Sequence, residues 1–593
     1  MSFESAIIVP NEGPKNAKIY IVGEAPGAEE VIEKRPFVGV SGMLLRNCLR
    51  RHGITEASAR FTNLCQRRPK GNIFASVIST RDVEAGVEEI ASDLREFKPN
   101  IVIGLGNWPL WFLCKRSGKK GAGTGIGKWR GSFLKCILPG CEEIKVIPTF
   151  HPAYIVRNYD EYPIFDHDLQ RAEKDSTFPE LNYPEYKFII DPRGDELLFW
   201  TEQLCNSEYL ACDIESVKSS THILCHGFAP DEKTAVVIPH SSTDFQRVSA
   251  LTEIYQSQAK KIFHNGGVFD IPMLALNNFE VKNYYWDTMV AQHVMWGELP
   301  KSLDFLTSVY TRQPYYKTSG RAEIPEDTKA WDQKFDRKAL YEYNGKDCCV
   351  TYKCFIEMEE ELTSNKDWKS TFAFEMASLG PAQRISFTGL LIDEERRNLI
   401  RRALEAKWAI LQLVLDNLTG FKTNVNSPKA IGMILYDKDK FALPPRRNYK
   451  GGVTTDEDAI VSLLAFCKDK LARMKQGGSG YGYWDKRFQA LQIILIIRGI
   501  RKLLSSYINN KISADQRVRS SYTPTGTKFG RWSASLFFDR TGANSQTFPR
   551  EILEIQDYSA FPILKELLPH IFNQQKEDID AANEEDNCED SSS

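Results

Sequence analysis

The sequence is poor in devices that tie a chain together from outside. Its 13 cysteines are scattered and include no Cys-x-x-Cys pair, and Cys348, Cys349 and Cys354 read as core of a predicted helix. The odd count, with no signal-peptide pattern, predicts a reducing, cytoplasmic setting. No apolar run reaches the roughly 18 residues that cross a bilayer. The strongest candidate, Leu491 to Ile497, spans only seven, so no membrane partner is predicted. Net charge is scarce as well, at -2. That balance hides an asymmetry: residues 577–593 carry eight acids and no base, and without them the net charge moves from -2 to +6. The body of the chain is mildly basic, which suits a nucleic-acid partner without requiring one.

What is present is length and a pattern of carboxylates. At 593 residues the chain has room for three or four domains. The stretch Leu210 to Ile214 reads as a buried strand, and side chains two apart on a strand share a face, so Asp213 and Glu215 can grip one ion. Lys261 to His264 reads as a second strand end, followed by Asn265 and Asp270. Ala339 to Phe355 reads as a helix in which Tyr343 and Asp347, four apart, share a face. Four carboxylates around one point repel unless cations sit between them. Oxygen-only ligands suit Mg²⁺ or Mn²⁺, and two such ions about 4 Å apart drive in-line attack on a phosphodiester.

The order and spacing of these motifs over residues 209–350 resemble the proofreading 3′–5′ exonucleases of the DEDD type with a tyrosine in the third motif. The resemblance implies an RNase H-like α/β domain over 188–365. Asp213, Glu215, Asp270 and Asp347 would hold two Mg²⁺ (or Mn²⁺) ions and Tyr343 would orient the attacking water. Asn265 and Phe269 would seat the terminal nucleotide, with a core role as the alternative for Phe269. Asp287 and Asp304 read as helix caps rather than ligands.

The first 180 residues carry a different series. A strand, Ala17 to Val22, runs into Gly23-Glu24-Ala25-Pro26-Gly27. Then come Arg35-Pro36-Phe37-Val38-Gly39, Phe61-Thr62-Asn63, Arg68-Pro69-Lys70-Gly71-Asn72 and His151-Pro152-Ala153-Tyr154. The series resembles the family 4 uracil-DNA glycosylases and implies a parallel sheet with helices on both faces. By position, Phe37 would stack on a flipped uracil, Asn63 would read its edge, and His151 would stabilise charge on O2. Glu24 and Glu30 are the candidate catalytic carboxylates. That family usually holds an iron–sulfur cluster on four cysteines. The matching positions fall near the N-terminus, near Gln66 to Pro69 and at Ser92 or Asp93, and none is cysteine, so no cluster is expected. The domain is expected to bind uracil better than it excises it. A polar stretch, 176–187, reads as a linker.

From 370 to 550 the pattern turns mostly helical and resembles the thumb and palm entry of family A DNA polymerases. The match rests on Gly389-Leu390-Leu391-Ile392-Asp393, Asn424 to Lys429, Thr454-Thr455-Asp456, Ile497 to Leu503, Thr523 to Gly526, and Gly530 to Ser535. It implies contacts to the DNA backbone from Arg501, Lys502, Thr525 and Arg531. After Glu551 the resemblance stops: Asp557-Tyr558-Ser559 has only the opening letters of a palm motif, and residues 551–593 read as a divergent acidic tail, partly disordered. The expectation is a multidomain α/β replication protein of phage type, located in the host cytoplasm. It would act on single-stranded and primer-template DNA, with fingers and palm supplied by a second polypeptide. The alternative is a non-catalytic DNA-binding platform that completes such a polymerase.

Overall fold

The computed structural model describes residues 3–4, 6–218, 220–317, 336–448, 451–538 and 541–548. The predicted acidic tail 551–593, with Asp557-Tyr558-Ser559, lies outside the described residues. The chain divides into two compact units, Met1–Arg384 with Tyr522–Ser533, and Ile385–Ser521 with Ala534–Ser593.

The first unit holds two sheets. The first sheet contains β1 (Ile19–Gly23), β2 (Ala59–Asn63), β3 (Ile101–Leu105), β4 (Leu134–Lys135) and β5 (Lys145–Thr149), in the order β2-β1-β3-β5-β4. All pairings are parallel except that of β4 with β5. Strands β1 and β3 are apolar and buried along their whole length, as expected when helices cover both faces. One face is filled by Leu45, Leu49, Phe165 and Leu169 from α2 (Val40–Arg51) and α7 (Tyr162–Asp175). The other is filled by Val83, Ile90, Leu94 and Leu110 from α3 (Arg81–Phe97) and α4 (Asn107–Cys114). Two shorter helices, α1 (Ala28–Glu33) and α6 (Pro152–Arg157), follow β1 and β5; α5 (Ile126–Trp129) precedes β4. The loops after β1, β2, β3 and β5 therefore gather at the carboxyl ends of parallel strands, where open α/β sheets take their ligands.

The second sheet contains β6 (Lys187–Ile190), β7 (Tyr209–Ser216), β8 (Ile223–Ala229), β9 (Thr234–Pro239), β10 (Lys260–Phe263) and β11 (Tyr284–Asp287), in the order β11-β10-β7-β8-β9-β6. Strand β8 runs antiparallel to β7 and β9, and the remaining pairs are parallel. Helices α8 (Gly194–Cys205), α9 (Phe245–Gln256), α10 (Asp270–Leu276), α11 (Thr288–Trp296) and α12 (Leu303–Tyr310) surround it. Helix α13 (Arg337–Thr363) lies across β7, β8 and β9 and buries Leu340, Cys348, Phe355 and Met358. The predicted strands and helix fall inside β7, β10 and α13; His264 alone lies beyond its strand end. The stretch predicted as a linker has no helix or strand before β6 but is pinned. Tyr183 Oη donates to Phe133 O (3.0 Å), and Arg312 donates to Leu181 O (3.1 Å) and Asn182 O (3.2 Å).

The second unit is mostly helical. Helices Glu394–Thr419, Pro428–Tyr436, Glu457–Ala472 and Tyr481–Leu503 share a core that includes Leu411, Leu415, Ile434, Leu463 and Ile494. Three motifs read from the sequence prove to be helix starts. Asp393, Ser427 and Asp456 accept from the amides of Arg396 (2.9 Å), Ala430 (3.2 Å) and Ala459 (2.9 Å). Among the described residues no helix is long and apolar enough to cross a membrane.

Candidate active sites

The carboxylate motifs converge on one point. Carboxylate oxygens of Asp213 and Glu215 on β7 and of Asp347 on α13 lie within 4.8 Å of one another. Asp270 opens α10, and its Oδ1 accepts from Ile214 N (3.1 Å), fastening the second motif to the first. Tyr343 is buried one turn before Asp347. Burial, reinforced by Asp270, Glu215 and Asp347, pushes Asp213 well above the usual carboxylate range. Burial likewise raises Asp270 to about 7. This repulsion is what a hard divalent cation relieves, and the donors are all oxygen, so the residues fit such an ion.

Three partners stand beside these carboxylates that the sequence reading did not single out. Asn344 Nδ2 donates to Asp213 Oδ2 (2.7 Å). Its place three residues before Asp347 on one helix face was a usable signal. Tyr316 Oη donates to Asp347 Oδ1 (2.5 Å), and the Lys317 ammonium bonds Asp347 Oδ2. No local pattern marks Tyr316 or Lys317.

Asn265 follows β10 in a left-handed conformation (φ 64°), and its backbone N–H donates to Asp287 Oδ1 (2.9 Å). Phe269 is 37% exposed and is not a core residue. Asp287 caps α11 through Met289 N (2.8 Å), as predicted. The same expectation fails for Asp304, which lies inside the first turn of α12, where Ser302 holds the cap position.

The second cluster of candidates meets at the loop ends of the first sheet. Gly23 and Asn63 are register partners on β1 and β2. A Cβ on Gly23 would lie 2.5 Å from Asn63 Oδ1 and 2.7 Å from Phe37 Cζ, so both side chains close over a bare backbone. Asn63 is 5% exposed, and its carboxamide hydrogen-bonds no other described residue. Phe37 has φ 56°, a left-handed conformation that costs a non-glycine residue about 1 kcal/mol. Arg46 holds it there by donating to Phe37 O (2.9 Å) and Pro36 O (2.8 Å), and is itself paired with Glu12 (2.6 Å).

Gly106, at φ 93° after β3, separates Glu24 from His151. A Cβ there would lie 3.2 Å from Glu24 Oε1 and 3.1 Å from His151 Cβ. Burial raises Glu24 to about 7 and lowers His151 to about 4. His151 Nδ1 accepts from Ala153 N (3.2 Å), so the neutral ring carries its proton on Nε2. Glu30 differs from Glu24. Its two oxygens accept from Gly27 N and Gly39 N (3.0 Å each), tying the loop after β1 to the Phe37 loop. Glu30 thus braces the two loops, and each of its oxygens keeps a second lone pair for the catalytic role expected of it.

The positions that would carry cluster thiolates do not fit an iron–sulfur group. Glu4 N donates to Arg68 O (3.0 Å) and Val9 N to Gln66 O (2.9 Å). Arg68 pairs with Glu4 (2.8 Å), Arg67 with Asp82 (3.2 Å) and Asp93 with Arg60 (2.9 Å). Cys65 is buried, with Sγ donating to Arg67 O (3.4 Å). Backbone pairing and side-chain ion pairs, not thiolates, stand at these positions.

The four DNA-backbone candidates divide between the units. Arg501 and Lys502 end the helix Tyr481–Leu503 in the second unit. Lys502 is exposed, and the Arg501 guanidinium lies 5.1 Å from the Trp408 ring. In the first unit Arg531 is exposed. Thr525 is 5% exposed and its carbonyl accepts from Lys301 Nζ (2.8 Å).

Comparison with known proteins matches residues 10–181 to the uracil DNA glycosylase superfamily and residues 193–363 to a 3′–5′ exonuclease family. A type-4 uracil-DNA glycosylase of Saccharolobus solfataricus is 33% identical over 194 residues, covering 32% of this chain and 85% of that protein. Another from Thermotoga maritima is 35% identical over 151 residues, covering 26% and 72%. DNA polymerase I of Pseudomonas aeruginosa is 23% identical over 377 residues, 59% of this chain but only 38% of the polymerase.

Proposed function

Because the chain belongs to the type-4 uracil-DNA glycosylase family through its first domain and carries a 3′–5′ exonuclease domain in its second, we propose that it trims 3′ ends of DNA and recognises uracil in DNA. The observation that carries the exonuclease reading is the assembled set Asp213, Glu215 and Asp347, with Asp270 fastened to Ile214. A platform without catalysis has no use for carboxylates buried against their own repulsion.

In this reading Asp213, Glu215, Asp270 and Asp347 hold divalent cations, Mg²⁺ or Mn²⁺. The chemistry such ions supply when bound is polarisation of the scissile phosphate and of the attacking water. Tyr343 orients that water. Phe269, half-exposed at the start of α10, stacks on the terminal base, and Asn265 seats its sugar. The test is degradation of a 3′-labelled single-stranded oligonucleotide. It should stop in EDTA and in an Asp213→Ala/Glu215→Ala protein. Survival in either condition would refute the assignment.

For the first domain the reading rests on the unspent Asn63 amide beside Phe37. Phe37 stacks on an extruded uracil and Asn63 reads its edge. Neutral His151 donates its Nε2 proton toward O2, and Glu24 acts on water at the sugar. Likeness to DNA polymerase I supports a role beside DNA synthesis, with Arg501, Lys502 and Arg531 on the DNA backbone.

A further inference from the structure

A buried ammonium stands among the exonuclease carboxylates. Lys317 Nζ bonds Asp347 Oδ2 and lies 4.9 Å from the centre of the Tyr343 ring and 5.3 Å from that of Tyr316. Both partners of the pair are almost wholly shielded from water. Asp347 has its two oxygens occupied, one by Lys317 and one by Tyr316. A divalent cation taking Asp347 as a ligand must therefore displace, or share the carboxylate with, a cation already in place.

What holds Lys317 there is as informative as what it touches. The preceding segment, Ser308 to Tyr316, is fastened to the glycosylase-like domain. Arg130 donates to Ser308 Oγ (3.0 Å) and Arg171 to Thr311 O (2.7 Å). Arg312 grips both oxygens of Asp175, at 2.6 and 2.8 Å. This fork is a strong, geometrically fixed contact, and Asp175 is itself held by Lys145 (2.9 Å). The strap thus has one end in the first domain and the other on Asp347.

We propose that Lys317 is a positioning residue, the resident counter-cation of the exonuclease carboxylates, and that the glycosylase-like domain holds it there through the Arg312–Asp175 fork. It lowers the affinity of the site for the divalent cation on the Asp347 side and keeps the empty site from flying apart. The inference rests on the exonuclease reading above. It goes beyond that reading because it gives the first domain a part in the metal dependence of the second.

The experiment is Mn²⁺ binding to the full chain followed by electron paramagnetic resonance, alongside the Mn²⁺ concentration for half-maximal hydrolysis. Lys317→Met should tighten the weaker Mn²⁺ by about tenfold, the scale of one lost charged contact. Lys317→Arg keeps a cation and should stay close to wild type. Arg312→Ala should move affinity in the same direction as Lys317→Met, by about threefold, because it loosens the strap next to Lys317 without touching the site, the Arg130 and Arg171 contacts remaining. Unchanged or weaker Mn²⁺ binding in a folded Lys317→Met protein overturns the proposal. If that variant does not fold, unchanged binding in Arg312→Ala overturns it. Wild-type Mn²⁺ binding in Asp213→Ala would instead show that the carboxylates are not the metal site. That outcome identifies failure of the underlying reading.

Discussion

The two candidate sites of the first unit are built on opposite principles. The exonuclease site is assembled from regular structure: a strand, a helix start and the face of a long helix bring carboxylates together against their repulsion. The uracil pocket is assembled from loop ends, with a strained phenylalanine, an unspent amide, a neutral histidine and a carboxyl raised toward neutrality. One site gathers carboxylates around a cation, with the Lys317 ammonium already against Asp347. The other suppresses charge and demands a neutral ligand with matching donors and acceptors. The contrast is what would let one chain carry both proposed functions: neither site's electrostatics suit the other's ligand.

The largest effect that would break this division is removal of a metal ligand. Asp213→Ala should lower 3′–5′ hydrolysis by about 10³-fold or more, since cation-assisted charge stabilisation is worth several kcal/mol. Uracil binding should be unchanged, measured as the fluorescence anisotropy difference between uracil- and thymine-containing oligonucleotides. A parallel loss of both functions would show that the sites are not independent.

The converse substitution sharpens the same contrast. Asn63→Asp replaces an amide donor with an acceptor at the base edge and should cut uracil preference by about 10–100-fold, the cost of one or two unpaired buried groups. Hydrolysis of 3′ ends should be unaffected. Retained preference for uracil over thymine would remove Asn63 from the pocket.

How much of this was legible depends on whether the chemistry is written in local periodicity. Asp213 with Glu215, and Tyr343 with Asp347, are spaced for one strand face and one helix face, and the elements formed where that spacing requires. The pocket residues were legible only through family resemblance, because loop ends carry no period. Glu30 shows the limit. Nothing in its spacing announces that its oxygens accept from Gly27 N and Gly39 N. Lys317 shows it again, since a residue thirty positions from Asp347 reaches it only through tertiary packing. Thr525 shows it a third time, since its burial is set by packing that its residue type does not announce.

A smaller effect concerns pH. If the first domain excises uracil, ionised Glu24 is the working form, and its carboxyl is raised to about 7. Single-turnover excision should then climb about tenfold per pH unit below that value and level above it. Glu24→Gln should flatten the profile. An unchanged profile in the variant would assign the titration to another group.

The smallest effect lies in stability, where the two pocket groups pull in opposite directions. Glu24 has a folded value of about 7 against an ordinary 4.5. Between those values the folded chain binds the proton more tightly than the unfolded one, so this carboxyl's contribution falls as pH rises. His151 has a folded value of about 4 against 6.5. Its folded form resists the proton, so its contribution is fully present above 6.5 and is lost as pH falls toward 4. From about 4.5 to 6.5 the two slopes largely cancel, and the wild-type chain conceals both. Substitution separates them. The melting temperature of Glu24→Gln relative to wild type, read on the transition of the first unit, should rise with pH from 4.5 to 7. That of His151→Gln relative to wild type should rise as pH falls from 6.5 to 4. Each trend should approach about 3 kcal/mol over its window, or several degrees. Trends of the same sign in both variants would mean that the pocket does not hold a protonated carboxyl beside a neutral imidazole, and the charge-suppressing half of the comparison would fall.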